Sequence, residues 1–180
     1  MTAARLVDPD ADLIESGPSA TSSRTLYRRL AAGVTVVTSG TADQPAGLTA
    51  SAVTSLSLAP SLLLACVGTG SRTLAAIERQ RTFAVNLLRD TQRGTAERFA
   101  GRSTNPSGKF DTGDWWPVLG VPVLRDVLAW AVCFAVDTHA YGDHVLVVGR
   151  VAASRVYAGA PLLWHDGRFR TLAAAEEPNG

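Results

Sequence analysis

Apolar and polar positions alternate along most of this chain in runs short enough for strands, and helical spacing emerges in three places. Val34–Ser39 is a β-branched run closed by the turn-rich Gly40–Pro45, and Gly47–Leu58 reads as the next strand. After the turn Ala59-Pro60-Ser61 come the continuous apolar strand Leu62–Val67 and, further on, the strand Thr82–Leu88. Ala129–Thr138 and Val145–Val156 are long strands around Gly142-Asp143, and Leu162–Trp164 with Arg168–Thr171 forms a hairpin about Asp166-Gly167. The helical segments are Arg24–Ala32, stopped by Gly33, then Arg72–Arg79 behind Ser71 as N-cap, and Thr91–Ala100. Residues 1–22 and 173–180 lack periodicity and are expected as tails around a single domain over 23–172. Residues 101–122, rich in Gly, Pro, Ser and Asp around Trp115-Trp116-Pro117, make a long excursion. About seven strands with two or three short helices predict a mainly β fold. The expected form is a closed or nearly closed antiparallel barrel with helical inserts.

The segment Gly47–Leu58 is unusual for a strand, because it carries five hydroxyls among small residues. Alternation puts Leu48, Ala50, Ala52, Thr54, Leu56 and Leu58 on one face and Thr49, Ser51, Val53, Ser55 and Ser57 on the other. A strand that only filled a core would show bulky branched residues on its buried face. The second face suits either solvent or a flat polar ligand lying against the backbone.

Composition narrows the field. Hydrophobic residues make up 46% and charged residues 18%, at a formal net charge of +1. No run of one sign marks a nucleic-acid or membrane surface, so neither partner is expected. A sparingly charged surface points to apolar area buried between copies. Arginine supplies all but one of the 17 basic residues, Lys109 being the exception. Cys66 and Cys133 sit singly in apolar runs, without metal or disulfide spacing. The chain start shows no secretory pattern and no segment reaches membrane-spanning length, which predicts a cytoplasmic protein.

Two loops carry candidate chemistry. Gly68-Thr69-Gly70-Ser71-Arg72-Thr73 gathers glycines, hydroxyls and an arginine where a helix begins. Unsatisfied N–H groups and the positive helix end favour an anion there, and Arg72 can add a charge-assisted contact. The loop is neither a Walker loop nor a dinucleotide fingerprint. Gly142-Asp143-His144 places a histidine at a strand entrance, with Asp143 able to fix its tautomer. His139, His144 and His165 lack metal-ligand spacing, and there is no Gly-x-Ser-x-Gly elbow. A chain short of acid, base and nucleophile leaves hard chemistry to a bound cofactor.

The chain resembles the short-chain flavin reductases, the reductase components of two-component flavin-dependent monooxygenases, from about Leu26 to Leu172. The resemblance rests on Ala31–Thr38, Gly47–Leu58, Ser71-Arg72-Thr73, Phe83–Leu88, Phe99-Ala100, Lys109-Phe110, Gly142-Asp143-His144 and Gly149-Arg150-Val151. It implies a homodimer with an FMN-binding split β-barrel of Greek-key type. A flavin near the dimer interface accepts hydride from a reduced nicotinamide. By position, Thr49, Ala50, Ser51 and Ala52 line the ring and ribityl chain, with Ser55, Cys66 and Val67 along the same path. Ser71, Arg72 and Thr73 hold the phosphate. Phe99, Ala100 and Phe110 flank the far end of the flavin or the adenine, and His144 positions the nicotinamide. The implied cofactors are FAD or FMN with NADH, NADPH being disfavoured, and the implied partner is a monooxygenase or halogenase fed by diffusible reduced flavin. The alternatives are an oxidoreductase with permanently bound FMN, a non-catalytic flavin-binding module, and a bare β-barrel interaction domain.

Overall fold

A computed structural model describes residues 17–101 and 108–172. Residues 1–16 of the expected tail 1–22, the expected tail 173–180, and residues 102–107 of the 101–122 excursion lie outside these residues. In chain order the elements are helix α1 (Ala20–Tyr27), β1 (Ala32–Gly33), β2 (Thr35–Gly40), β3 (Pro45–Ala50), β4 (Val53–Leu58), β5 (Ser61–Gly68) and α2 (Arg72–Gln80). They continue with β6 (Thr82–Leu87), α3 (Arg93–Phe99), β7 (Trp115–Val118), β8 (Val121–Leu124), β9 (Ala129–Tyr141), β10 (His144–Val156), β11 (Leu163–His165) and β12 (Arg168–Arg170).

One seven-stranded sheet runs β3-β2-β6-β9-β10-β5-β4, every pair antiparallel. Its two edge strands, β3 and β4, are consecutive in the chain and joined only by Ser51 and Ala52. In a flat sheet these edges would stand about 29 Å apart, six spacings of ~4.8 Å. Three Cα–Cα steps reach at most about 11 Å. The sheet therefore curls until its edges approach, and the Cys66 N–H on β5 donates to the Ala52 carbonyl at 2.9 Å.

Alternate residues of the middle strands feed two separate cores. Val36, Ala84 and Val132 join one cluster, while their neighbours Val37, Val85 and Cys133 join the other. This two-sided burial explains why β2 and β6 read as continuous apolar runs rather than alternating ones. The first cluster packs under α3 and the β7–β8 hairpin. The second fills the inside of the curl, with Leu74 and Ile77 of α2 among its members. Gly149 lets β10 cross the ring of Phe83, since a Cβ there would lie 2.4 Å from Phe83 Cζ.

Asn86 is the polar knot between these layers, wholly buried on β6. Its Nδ2 donates to the Val36 carbonyl at 2.9 Å and to Thr38 Oγ1 at 3.1 Å, and its Oδ1 accepts from the Leu124 N–H at 2.9 Å. The side chain thus ties β2, β6 and β8 together.

Three expectations need correction. Gly47–Leu58 is not one strand: it bends at Ser51–Ala52, leaving β2 as partner for β5, so its face alternation does not run through. The first helix starts at Ala20, four residues before the expected Arg24 and within the expected tail, because Ser19 Oγ caps it by accepting from the Ser22 N–H at 3.2 Å, and it ends at Tyr27 rather than Ala32. Leu26 and Leu30, at helical spacing in the sequence, are exposed. The excursion contains a hairpin, β7–β8, turned by Leu119 and Gly120 at φ 50° and 80°. Both residues at positive φ mark the tight hairpin turns that suit strand twist.

Candidate functional site

Where the sheet turns from β3 to β4, the strand ladder stops at Ser51 and Ala52 and a cleft of about 420 Å³ opens. Its walls include Leu48, Thr49, Ala50, Ser51, Ala52, Cys66, Gly68, Ser71, Phe99, Ala100, Lys109 and His144. The small side chains of Ala50, Ser51 and Ala52 bring the backbone of the bend to the cleft wall, where the Ala50 and Ala52 carbonyls already accept from Thr35 Oγ1 and the Cys66 N–H. That volume falls in the range of small-molecule sites.

The start of α2 forms one rim. Ser71 Oγ accepts from the Leu74 N–H at 3.0 Å, which caps the helix. The Arg72 and Thr73 amides lie in the first turn, without intrahelical acceptors, at the positive end of the helix. Across from them the β9–β10 turn brings in His144, whose register partner on β5 is Gly68. The Thr69 N–H donates to the Asp143 carbonyl at 3.0 Å and locks the two loops together. His144 Nδ1 lies 2.7 Å from Asp143 Oδ1. That contact and the imidazole charge hold the Asp143 carboxyl below the usual carboxylate range.

Aromatic rings close the far end. Phe99 and Phe110 meet edge to face at 5.1 Å, and Phe110 meets Trp115 likewise at 5.7 Å. Both first rings rest on Gly47, where a Cβ would lie 2.7 Å from Phe99 Cε1 and 3.2 Å from Phe110 Cζ. That glycine is a packing requirement.

Lys109 is the site residue that residue-type reasoning passed over. Its Nζ donates to the Phe99 carbonyl at 2.8 Å and to the Gly47 carbonyl at 3.0 Å. Burial pushes its pKa below the usual lysine value, and the charge of Arg72 pushes it further. Its being the lone lysine among so many arginines was the available signal.

Most of the expected side chains meet here: Ala50, Ser51, Ala52, Cys66, Ser71, Phe99, Ala100 and His144 all line the cleft. Thr49 lines it too, but its hydroxyl donates to the Ala96 carbonyl at 2.6 Å and fastens α3 to β3. Arg72 and Phe110 border an adjoining cleft of about 590 Å³ that also touches Lys109. Three further expected residues do not line this cleft. Ser55 lies beyond the bend on β4, opposite Leu63, outside the cleft lining. Val67 is wholly buried in the inner core and Thr73 is 2% exposed, so neither side chain lines the cleft.

Comparison with known proteins agrees with this picture. Residues 27–173 match the flavin reductase like domain. An NADH-dependent FAD reductase of Streptomyces globisporus is 35% identical over 174 residues, covering 93% of each chain. The reductase subunit HsaB of a flavin-dependent monooxygenase from Rhodococcus jostii (strain RHA1) is 36% identical over 148 residues, 81% of this chain and 74% of that one. The crystal structure of BorF, the flavin reductase component of a bacterial two-component tryptophan halogenase, superposes with a TM-score of 0.78 at 33% identity. It covers 87% of this chain and all of that one.

Proposed function

This chain belongs to the flavin reductase-like domain family, and from that membership we propose that it is an NADH-dependent flavin reductase supplying reduced flavin to a separate monooxygenase or halogenase. The observation that carries this reading is the meeting of two features far apart in sequence. Ala50–Ala52 at the interrupted strand and Ser71, the N-cap of α2, border one cleft, and Arg72 borders the cleft adjoining it.

The residues present fit a flavin. The small, backbone-rich wall at Ala50, Ser51 and Ala52 admits a flat ring, and the Arg72 and Thr73 amides with the Arg72 guanidinium suit its phosphate. When bound, the flavin supplies the electron-accepting centre for hydride transfer from a nicotinamide. The protein's own work is orientation, which can account for about 7–11 kcal/mol of barrier at best. His144, half exposed at the mouth and held by Asp143, positions the incoming nicotinamide. Backbone N–H groups at the bend can meet charge that develops on the ring. No side chain has to move a proton, in keeping with a cleft that lines up no carboxylate.

The curled sheet supports a split barrel, and an exposed apolar surface supports a homodimer. Leu56 and Leu58 on β4 and Phe134 and Val136 on β9 are all exposed, and an apolar face of this kind suits contact with a second copy. Sedimentation at the mass of one chain would remove that part of the reading.

The expected assay result is a colourless purified protein that consumes NADH only when free flavin is added. A yellow colour that survives dialysis would favour resident FMN instead, and flavin binding without NADH consumption would leave only a carrier. His144→Ala is expected to raise the KM for NADH about tenfold while moving the flavin Kd less than about threefold, as for loss of one charge-assisted contact. Wild-type values for both would remove His144 from this role.

A further inference from the structure

We propose that a separate cleft, where β8 leads into β9, binds a small aromatic monocarboxylate. This goes beyond the flavin-reductase reading and does not rest on it.

The cleft holds about 230 Å³ and is lined by Arg89, Trp116, Arg125, Asp126, Val127 and Tyr157. None of these lines the candidate flavin cleft or the cleft adjoining it. Sites for drug-sized ligands run to roughly 300–1,000 Å³, so this space suits a single ring rather than a nucleotide. Two half-buried rings, Trp116 and Tyr157, stand on its wall. Arg125 lies over the Trp116 ring at 5.0 Å and Arg155 over the Tyr157 ring at 5.3 Å, which holds both rings in place. A flat aromatic group gains contact area from such rings, stacked or edge-on.

The polar groups are built in as well. Arg89 Nε donates to the Asp126 carbonyl at 2.6 Å, and its Nη1 donates to the Ala158 carbonyl. Gly159 makes room for this guanidinium, since a Cβ there would strike Arg89 Nη1. Held this way, Arg89 keeps N–H groups to spare. Among the described residues, Arg89, Arg125 and Asp126 form no ion pair. Two guanidiniums against one carboxylate leave the wall with a surplus of one positive charge. A monoanion balances that surplus, and a carboxylate matches the planar fork of a guanidinium. Inorganic phosphate, as a dianion, would meet Asp126 with less compensation and leave both rings without a partner. Size, rings and charge together specify one aromatic ring bearing one carboxylate.

Calorimetric titration of the full-length protein with benzoate tests this, with benzamide and acetate as controls. Benzoate is expected to bind about tenfold or more tighter than benzamide, as for one charge-assisted contact. Acetate, which lacks the ring, is expected to bind more weakly still. Arg125→Gln, a change at an exposed position, should bring benzoate within about threefold of benzamide. Trp116→Leu should weaken benzoate about fivefold, as for loss of an aromatic contact. Added FMN should leave benzoate binding unchanged. Equal affinity for benzoate and either control, or no binding of benzoate, would overturn the assignment. So would wild-type benzoate affinity in Arg125→Gln. Displacement of benzoate by FMN would also overturn it, placing the carboxylate in the flavin cleft instead.

Discussion

Arg72→Glu is expected to weaken binding of either flavin by about a hundredfold while leaving the fold intact. A hydrogen bond to a charged group contributes about 1.5–3 kcal/mol, roughly tenfold to 150-fold in affinity. Reversal of the charge adds repulsion of the phosphate to that loss. Stability should not suffer, because Arg72 is the first residue of α2, is exposed and makes no ion pair among the described residues. A carboxylate in the first turn of a helix interacts favourably with the macrodipole. It also relieves the like-charge crowding at Lys109, which should carry the lysine pKa upward toward its ordinary value. Affinity and stability are thus expected to move independently. Isothermal titration with FMN and a urea melt of the same protein check the two halves. An FMN Kd within threefold of wild type would show that the phosphate does not sit at this helix end.

The site was legible in the sequence to the extent that its chemistry is local. Ser71 announced the helix cap, and the cap forms as expected. The anion preference of the loop follows from the same residues, whatever surrounds them. The small hydroxyl-rich run does border a cleft, though not for the reason its periodicity suggested. Strand periodicity predicts two faces, whereas the chain bends at Ser51–Ala52 to pass from one edge of the curled sheet to the other. That bend depends on which strands become β3 and β4's partners, and pairing across the molecule leaves no local trace. Thr49 illustrates the consequence: its hydroxyl looked free for a ligand and instead holds α3 through Ala96. Lys109 escaped notice for a related reason, since its ammonium is organised by carbonyls of Gly47 and Phe99, remote in sequence. The β7–β8 hairpin was hidden by Pro117 and Pro122, which argue against strands. They are paired opposite each other in a two-stranded sheet where neither has to serve a second neighbour.

Asn86→Leu is expected to destabilise the protein by about 3–5 kcal/mol without changing the chemistry of the folded fraction. Leucine keeps asparagine's number of side-chain heavy atoms and its branch at Cγ but is bulkier, so the cost is lost hydrogen bonding with some overpacking rather than a cavity. Three hydrogen bonds disappear, and the Val36 carbonyl, the Thr38 hydroxyl and the Leu124 amide each lose a partner in a buried region, the Thr38 hydroxyl keeping its bond to the Pro122 carbonyl. Each orphaned buried group costs about 1–3 kcal/mol, and domains of this kind hold only about 5–15 kcal/mol in total. Because Asn86 bridges β2, β6 and β8, the loss falls on the seam between the sheet and the β7–β8 hairpin rather than on either cleft. Urea unfolding should show a lower midpoint at unchanged slope, since the surface exposed on unfolding is the same. Flavin affinity measured well below the midpoint should match wild type, because no cleft residue touches this side chain through a hydrogen bond. Asn86→Ala adds a cavity to the same orphaned groups and is expected to cost more. A midpoint indistinguishable from wild type in the leucine variant would mean that water or a shifted hairpin satisfies the seam, and that Asn86 is not what holds it.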